Sequence, residues 1–136
     1  MELQYALLAL NAEQMPGGRL HIFGGDFDVI GVPTLPAVVP PFYIVAKLRV
    51  QPDEVGKDHK LEVVLKAPGE EPRTVGSVPL NTVRNEYAPG KSSGSTVIIQ
   101  VGMAFEKAGD HVFRLVVDGA EMGSVSLLLT VGSGEK

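Results

Sequence analysis

What most constrains this chain is an apolar period of two that returns in several separate stretches. From Phe42 to Gln51, the side chains of Phe42, Ile44, Ala46, Leu48 and Val50 fall on one side, and Lys47, Arg49 and Gln51 on the other. Such a period belongs to a pleated strand with one buried and one wet face, since a helix would repeat every 3.6 residues. From His59 to Ala67 the pattern recurs, with Leu61, Val63 and Leu65 opposed to Lys60, Glu62 and Lys66. Thr96 to Phe105 places Val97, Ile99, Val101, Met103 and Phe105 on one face, and His111 to Val117 does the same with Phe113, Leu115 and Val117. Val125, Leu127, Leu129 and Val131 complete a last strand, with Gly123 marking a bulge in it.

Turn chemistry punctuates these strands. Asp118-Gly119 is the strongest hairpin signal, because a type I′ turn needs positive φ at both central residues and this pair tolerates it. Pro68-Gly69 ends the His59 strand, and a weaker strand follows over Arg73 to Val78. The polar stretch Pro52 to Asp58, with Gly56, suits a hairpin connection between its two neighbouring strands.

The first third is less regular. Glu2 to Gln14 has a composition that permits a helix, but Met15-Pro16-Gly17-Gly18 places Pro and Gly as a type II turn requires, and Leu20 to Phe23 reads as a second hairpin arm. We therefore expect a strand, with a helix as the alternative. Gly31 to Pro41 carries four prolines, Pro33, Pro36, Pro40 and Pro41, which exclude a central strand and suggest an extended crossover between sheets. Asn81 to Ser95 reads as a long mobile loop.

Many short strands and no convincing buried helix predict an all-β fold, an antiparallel two-sheet β-sandwich, with an antiparallel β-barrel as the alternative. At 136 residues the chain suffices for one core, so residues 1–131 are expected to form a single domain and 132–136 a flexible tail. The chain has no cysteine, so the core closes without disulfides, which is compatible with a cytoplasmic location. The apolar run Tyr5 to Leu10 lacks the basic flank of a signal peptide, and no stretch approaches the roughly 20 apolar residues of a membrane span.

Two segments resemble known patterns. Leu7 to Ile30, LLALNAEQMPGGRLHIFGGDFDVI, is similar to the opening of an uncharacterised bacterial domain family, through Gly17, Gly18, Leu20, Gly24 and Gly25. That resemblance implies no activity. Ala108 to Gly119, AGDHVFRLVVDG, resembles the penultimate strand of immunoglobulin-like domains, with His111 where an aromatic Tyr is usual; this implies an immunoglobulin-like sandwich and nothing about function.

Chemistry-bearing constellations are sparse. Gly90-Lys91-Ser92 has the tail of a phosphate loop without its first glycine, its leading strand or its following helix. No serine sits in a Gly-x-Ser-x-Gly elbow, and a thiol nucleophile is excluded. Asp26 and Asp28, alternate residues of an apparently extended segment, can point to one side and with His21 form a candidate cation or ligand site. His21, His59 and His111 lie in three different segments. A formal charge of −4, with no interleaving of aromatic and basic residues, argues against nucleic acid. Ala6, Leu8, Leu10, Phe23, Tyr43 and Val45 together suggest an apolar second face on the N-terminal half, from which Leu8, Phe23, Tyr43 and Val45 are candidate interface residues. The expectation is a non-enzymatic interaction or structural module that binds a protein partner or forms a homo-oligomer and needs no cofactor. A small-ligand or metal-binding domain is the alternative.

Overall fold

The computed structural model describes residues 1–132. The predicted tail lies outside them except for Gly132, whose N–H donates to the Val32 carbonyl at 3.1 Å. Eleven strands follow in order: β1 (Glu2–Gln14), β2 (Leu20–Gly25), β3 (Val29–Val32), β4 (Ala37–Val38), β5 (Phe42–Val50), β6 (His59–Lys66), β7 (Arg73–Leu80), β8 (Ser93–Val101), β9 (Ala104–Phe105), β10 (Gly109–Val117) and β11 (Ala120–Val131). A single 3-10 turn, Pro52–Glu54, precedes β6, and there is no α-helix among the described residues. The fold is all-β.

One sheet has the strand order β2-β1-β5-β8, a second the order β3-β11-β10-β6-β7, and β4 pairs with β9 in a third; one of the sheets curls into a half-barrel. The period-two residues of β5 are almost wholly buried and share one core with Leu61, Val63, Leu65, Phe113, Leu115, Val117, Leu127 and Leu129 of the five-stranded sheet. Phe42 and Phe113 meet edge to face, with ring centroids 6.1 Å apart. Each fully buried phenylalanine contributes about 1.5–3 kcal/mol by removing its ring from water.

Glu2 to Gln14 is a strand, and the first turn is the type II turn expected: Gly17 has φ 85°, and the Gly18 N–H donates to the Met15 carbonyl at 3.1 Å. Asp118 and Gly119, at φ 50° and 86°, make the type I′ turn between β10 and β11. The register of that hairpin shifts between Leu115 and Val116, so a bulge lies beside Gly123.

Three expectations change. Pro52 to Asp58 is not a hairpin, because β5 pairs with β1 and β8 whereas β6 pairs with β10 and β7. The alternation defines each strand but not its partner, and this connection arches from one sheet to the other. Thr96 to Phe105 is not one strand: the ladder stops at Val101, and Ala104–Phe105 turn away to pair with β4. The pairing is not wholly antiparallel either, since β3 runs parallel to β11. A strand that arrives from the other sheet is not tied to its neighbour by a hairpin, so nothing local imposes the antiparallel direction.

Candidate functional site

The chain leaves the first sheet at the end of β2 and enters the second at β3, and the segment between them builds the most distinctive surface of the molecule. Gly24 adopts φ 57° and Asp26 φ 62°, both in the left-handed region. A Cβ on Gly24 would stand 2.6 Å from Leu10 Cδ1, so this position needs glycine for its backbone and for space. Beyond it the Asp26 N–H donates to the Leu8 carbonyl at 2.7 Å, and the Asp28 carbonyl accepts from the Leu128 N–H at 2.8 Å. One aspartate backbone is thus stitched to β1 and the other to β11. Phe27, between them, turns inward and meets Phe42 edge to face at 6.0 Å.

Around Phe27 lies an apolar pocket of about 350 Å³. Leu10, Phe27, Ile30, Val38, Val39 and Phe42 line it, with Gly31, Val32 and Pro40 completing the wall. No side chain in this set can donate or accept a hydrogen bond. The rim is apolar as well, since Leu10 is 62% and Val38 82% exposed. The volume is more than twice the ~150 Å³ of an apolar cavity that admits benzene, and it falls within the ~300–1,000 Å³ range of small-molecule pockets.

This arrangement removes the extended backbone on which the grouping of Asp26 with Asp28 rested. Their common orientation presumed an extended segment, and the left-handed backbone at Asp26 breaks the alternation. His21 lies four residues before Gly25 along β2, about 13 Å away at the usual rise per residue. Among the described residues no group of three His, Asp or Glu side chains converges to hold a metal ion. The histidines are also apart: the antiparallel pairing of β6 with β10 puts His59 and His111 at opposite ends of the two strands, more than about 20 Å from one another. His111 is a core residue, 1% exposed, with its ring edge to face against Phe105 and its Nδ1 3.0 Å from the Gly109 carbonyl.

The predicted apolar second face is corrected too. Leu8 pairs with Ile44 and Ala6 with Ala46, so both share the inward side of the sheet, and Leu8 is only 2% exposed. Outward lie Leu7 opposite Val45 and Ala9 opposite Tyr43. The sequence grouping placed β1 one residue out of phase with β5, and a slip of one exchanges the faces of a strand. Val45 is itself fully covered, packed with Ala9, Ala12, Leu7, Leu20 and Ile98 in a small satellite cluster. Of the four candidate interface residues only Phe23, 49% exposed, is largely open, and Tyr43 is half-buried. The pocket residues Phe27, Val38 and Val39 were not singled out by the sequence. Their one signal is apolar side chains inside a glycine- and proline-rich stretch that follows no strand period.

A second polar cluster sits at the far end of the five-stranded sheet. His59 Nδ1 is 2.6 Å from Asp118 Oδ2, and Nε2 is 2.7 Å from the Glu54 carbonyl oxygen. Asp118 Oδ1 accepts from the Lys60 N–H at 3.0 Å. The hydrogen bond to Asp118, then that to the Glu54 backbone, raises the imidazole above its ordinary range, and the same contact with His59 lowers Asp118. Glu54 is also lowered, chiefly because its carboxylate accepts the Gln51 N–H. Neither contact was anticipated: His59 and Asp118 are far apart in sequence, and Glu54 takes part through its backbone carbonyl, which leaves no mark on residue type.

A model of a protein family described as a family of unknown function (DUF6941) matches residues 4–130. The chain belongs to that family. The match to DUF6941 spans β1 through nearly all of β11, so the pocket and the His59 cluster both fall within it. The expectation of an uncharacterised domain family holds. Comparison with the curated proteins and with the solved structures found no match. No helix among the described residues is long and apolar enough to cross a membrane.

Proposed function

We propose that this chain is a non-enzymatic interaction module, built as an immunoglobulin-like two-sheet sandwich, that receives an apolar anchor side chain of a partner protein in the pocket beside Phe27. The single observation that carries the reading is that pocket: open, about 350 Å³, and without one polar side chain in its wall. Enzymes need titratable or nucleophilic groups at the reacting atoms, and none lines it. Sites for free small molecules usually fix orientation with a few placed polar groups, whereas a bare apolar socket with an exposed apolar rim suits a protein anchor. Its position also favours a protein. The pocket adjoins β3, an end strand of its sheet, whose open side is available for backbone pairing with an extended segment. The sandwich reading is supported by the single core that β5 and β8 share with β6, β10 and β11.

The test compares affinity capture from a lysate of the source organism by three proteins: wild type, Leu10→Asp at the rim, and Tyr87→Ala on a remote exposed loop. A stoichiometric partner retained by wild type and Tyr87→Ala but lost with Leu10→Asp is the expected result. Equal capture by all three would sink the reading. Native mass spectrometry of the same preparations separates the alternatives: a small molecule carried by wild type alone would replace the partner with a ligand, and a dimer lost with Leu10→Asp would make the partner a second copy.

A further inference from the structure

The His59 cluster lies away from the pocket and carries an inference of its own. Asp118 is the first central residue of the type I′ turn between β10 and β11, and Glu54 closes the 3-10 turn on the arch between the two larger sheets. His59 stands between them, its side chain only 10% exposed. Both of its ring nitrogens meet groups that can only accept: an ionised carboxylate at 2.6 Å and a peptide carbonyl at 2.7 Å. A neutral imidazole has one donor and one acceptor nitrogen, so it can serve one of these contacts and must set a lone pair against the other. Only the imidazolium, with two N–H groups, serves both.

We propose that His59 is a proton-controlled latch: as imidazolium it fastens the β10–β11 turn to the arch before β6, and on losing its proton it releases one of the two. Charged groups around it are placed for this. Asp118 faces it from the hairpin turn, and Glu54 lies beside it on the arch, its carboxylate also accepting from the Met1 α-amino group at 2.9 Å. Across the β6–β7 ladder its partner is Leu80, which carries no charge. Lys60, next in sequence, pairs with Glu62 at 3.7 Å instead. The turn is further held by the Lys60 N–H, which donates to Asp118 Oδ1, and by the Asp118 N–H, which donates to the Lys60 carbonyl, so deprotonation of His59 loosens this end without dissolving the hairpin.

The direction follows from linkage. A group whose protonated form is favoured in the folded state stabilises fully below its unfolded value, about 6.5 for histidine, and that stabilisation is lost as pH rises through the higher folded value. Stability should therefore decline on the alkaline side of about pH 6.5, where an ordinary histidine would already have titrated. The measurement is NMR on the full chain between pH 5 and 9, following the imidazole of His59 and the hydrogen-exchange protection factors of the Lys60, Asp118 and Gly119 amides, each observed rate being referred to the intrinsic rate at that pH. The signal of His59 is assigned by its loss in His59→Gln. We expect it to titrate later than a free imidazole, with the protection of the turn amides, corrected for the intrinsic exchange rate at each pH, falling several-fold over the same range. In Asp118→Asn, which keeps a residue suited to the left-handed turn, the titration should shift down and the pH-dependent loss of protection should vanish. Titration of His59 at or below about 6.5, protection factors at the turn that do not change with pH, or an Asp118→Asn protein with an unchanged profile would each overturn the latch. Should Asp118→Asn fail to fold, the wild-type titration and exchange still decide between these outcomes.

Discussion

The β10–β11 hairpin and the stretch from β1 through the proline-rich crossover are built on opposite plans. In the hairpin every local signal agrees: period-two burial in β10, the Asp118-Gly119 turn, and a bulge beside Gly123 that absorbs the twist. Its inward residues Phe113, Leu115, Leu127 and Leu129 are at most 1% exposed. The N-terminal stretch has left-handed residues, prolines and large apolar side chains left in solvent, including Leu10, Phe23, Val29 and Val38. Local consistency marks the part of a protein that specifies the fold, and local conflict marks the part free to do something else. Apart from Phe42 of β5, the residues that line the candidate binding pocket all lie in the second kind of region.

Truncation should separate the two regions most sharply. Phe113→Ala removes a ring from the centre of the core and is expected to cost about 3–5 kcal/mol, a large share of the ~5–15 kcal/mol typical of a domain. Leu10→Ala, at the pocket rim, should stay within about 0.5 kcal/mol. Urea denaturation of both variants checks this, and comparable losses would erase the distinction between core and rim.

Glycine sharpens the comparison further. Gly24→Ala and Gly119→Ala each force a left-handed backbone on alanine, at about 1–2 kcal/mol. Only Gly24 also has a neighbour in the way, since a Cβ at Gly119 meets nothing within 4 Å. Gly24→Ala should therefore be the worse of the two in the wild-type protein, and the gap should close in a Leu10→Ala background. A gap that persists there would show that Leu10 is not its cause.

The smallest effect is expected in acid. Asp118 and Glu54 are both held below the ordinary carboxylate range, by the hydrogen bonds from His59 and from the Gln51 N–H respectively. Their contribution is present above the unfolded values, near 4, and is lost as pH falls through the folded ones. Urea midpoints should fall below about pH 4, and Glu54→Gln should flatten part of that decline. Both groups are partly open to water, so the change should be modest.

Much of the strand content was legible because alternation and turn chemistry act over a few residues. The strand at β1 follows, against its helical composition, from the turn residues Met15-Pro16-Gly17-Gly18 together with Leu20 to Phe23 as a second hairpin arm. The phase of β1 against β5 was not legible. Leu7 and Leu8 are equally apolar, and only the ladder decides that Leu8 joins Ile44 in the core while Leu7 faces outward with Val45. For the same reason the candidate interface residues Leu8 and Val45 turned inward, and the alternation expected of Asp26 and Asp28 ended where the backbone entered the left-handed region.

By itself, then, the sequence determined most of the longer strands, the tight turns at Pro16-Gly17 and Asp118-Gly119, and the core-facing alternation of β5, β6, β8 and β10, because those properties depend on neighbours a few bonds away. The tertiary structure decided which strands share a sheet, that β3 lies parallel to β11, that Phe27 faces a pocket, and that His59 stands between Asp118 and Glu54. Each of these joins residues far apart in the chain, and such contacts are chosen by the packing of whole faces and by the pairing of buried polar groups, for which no short stretch of sequence carries a signal.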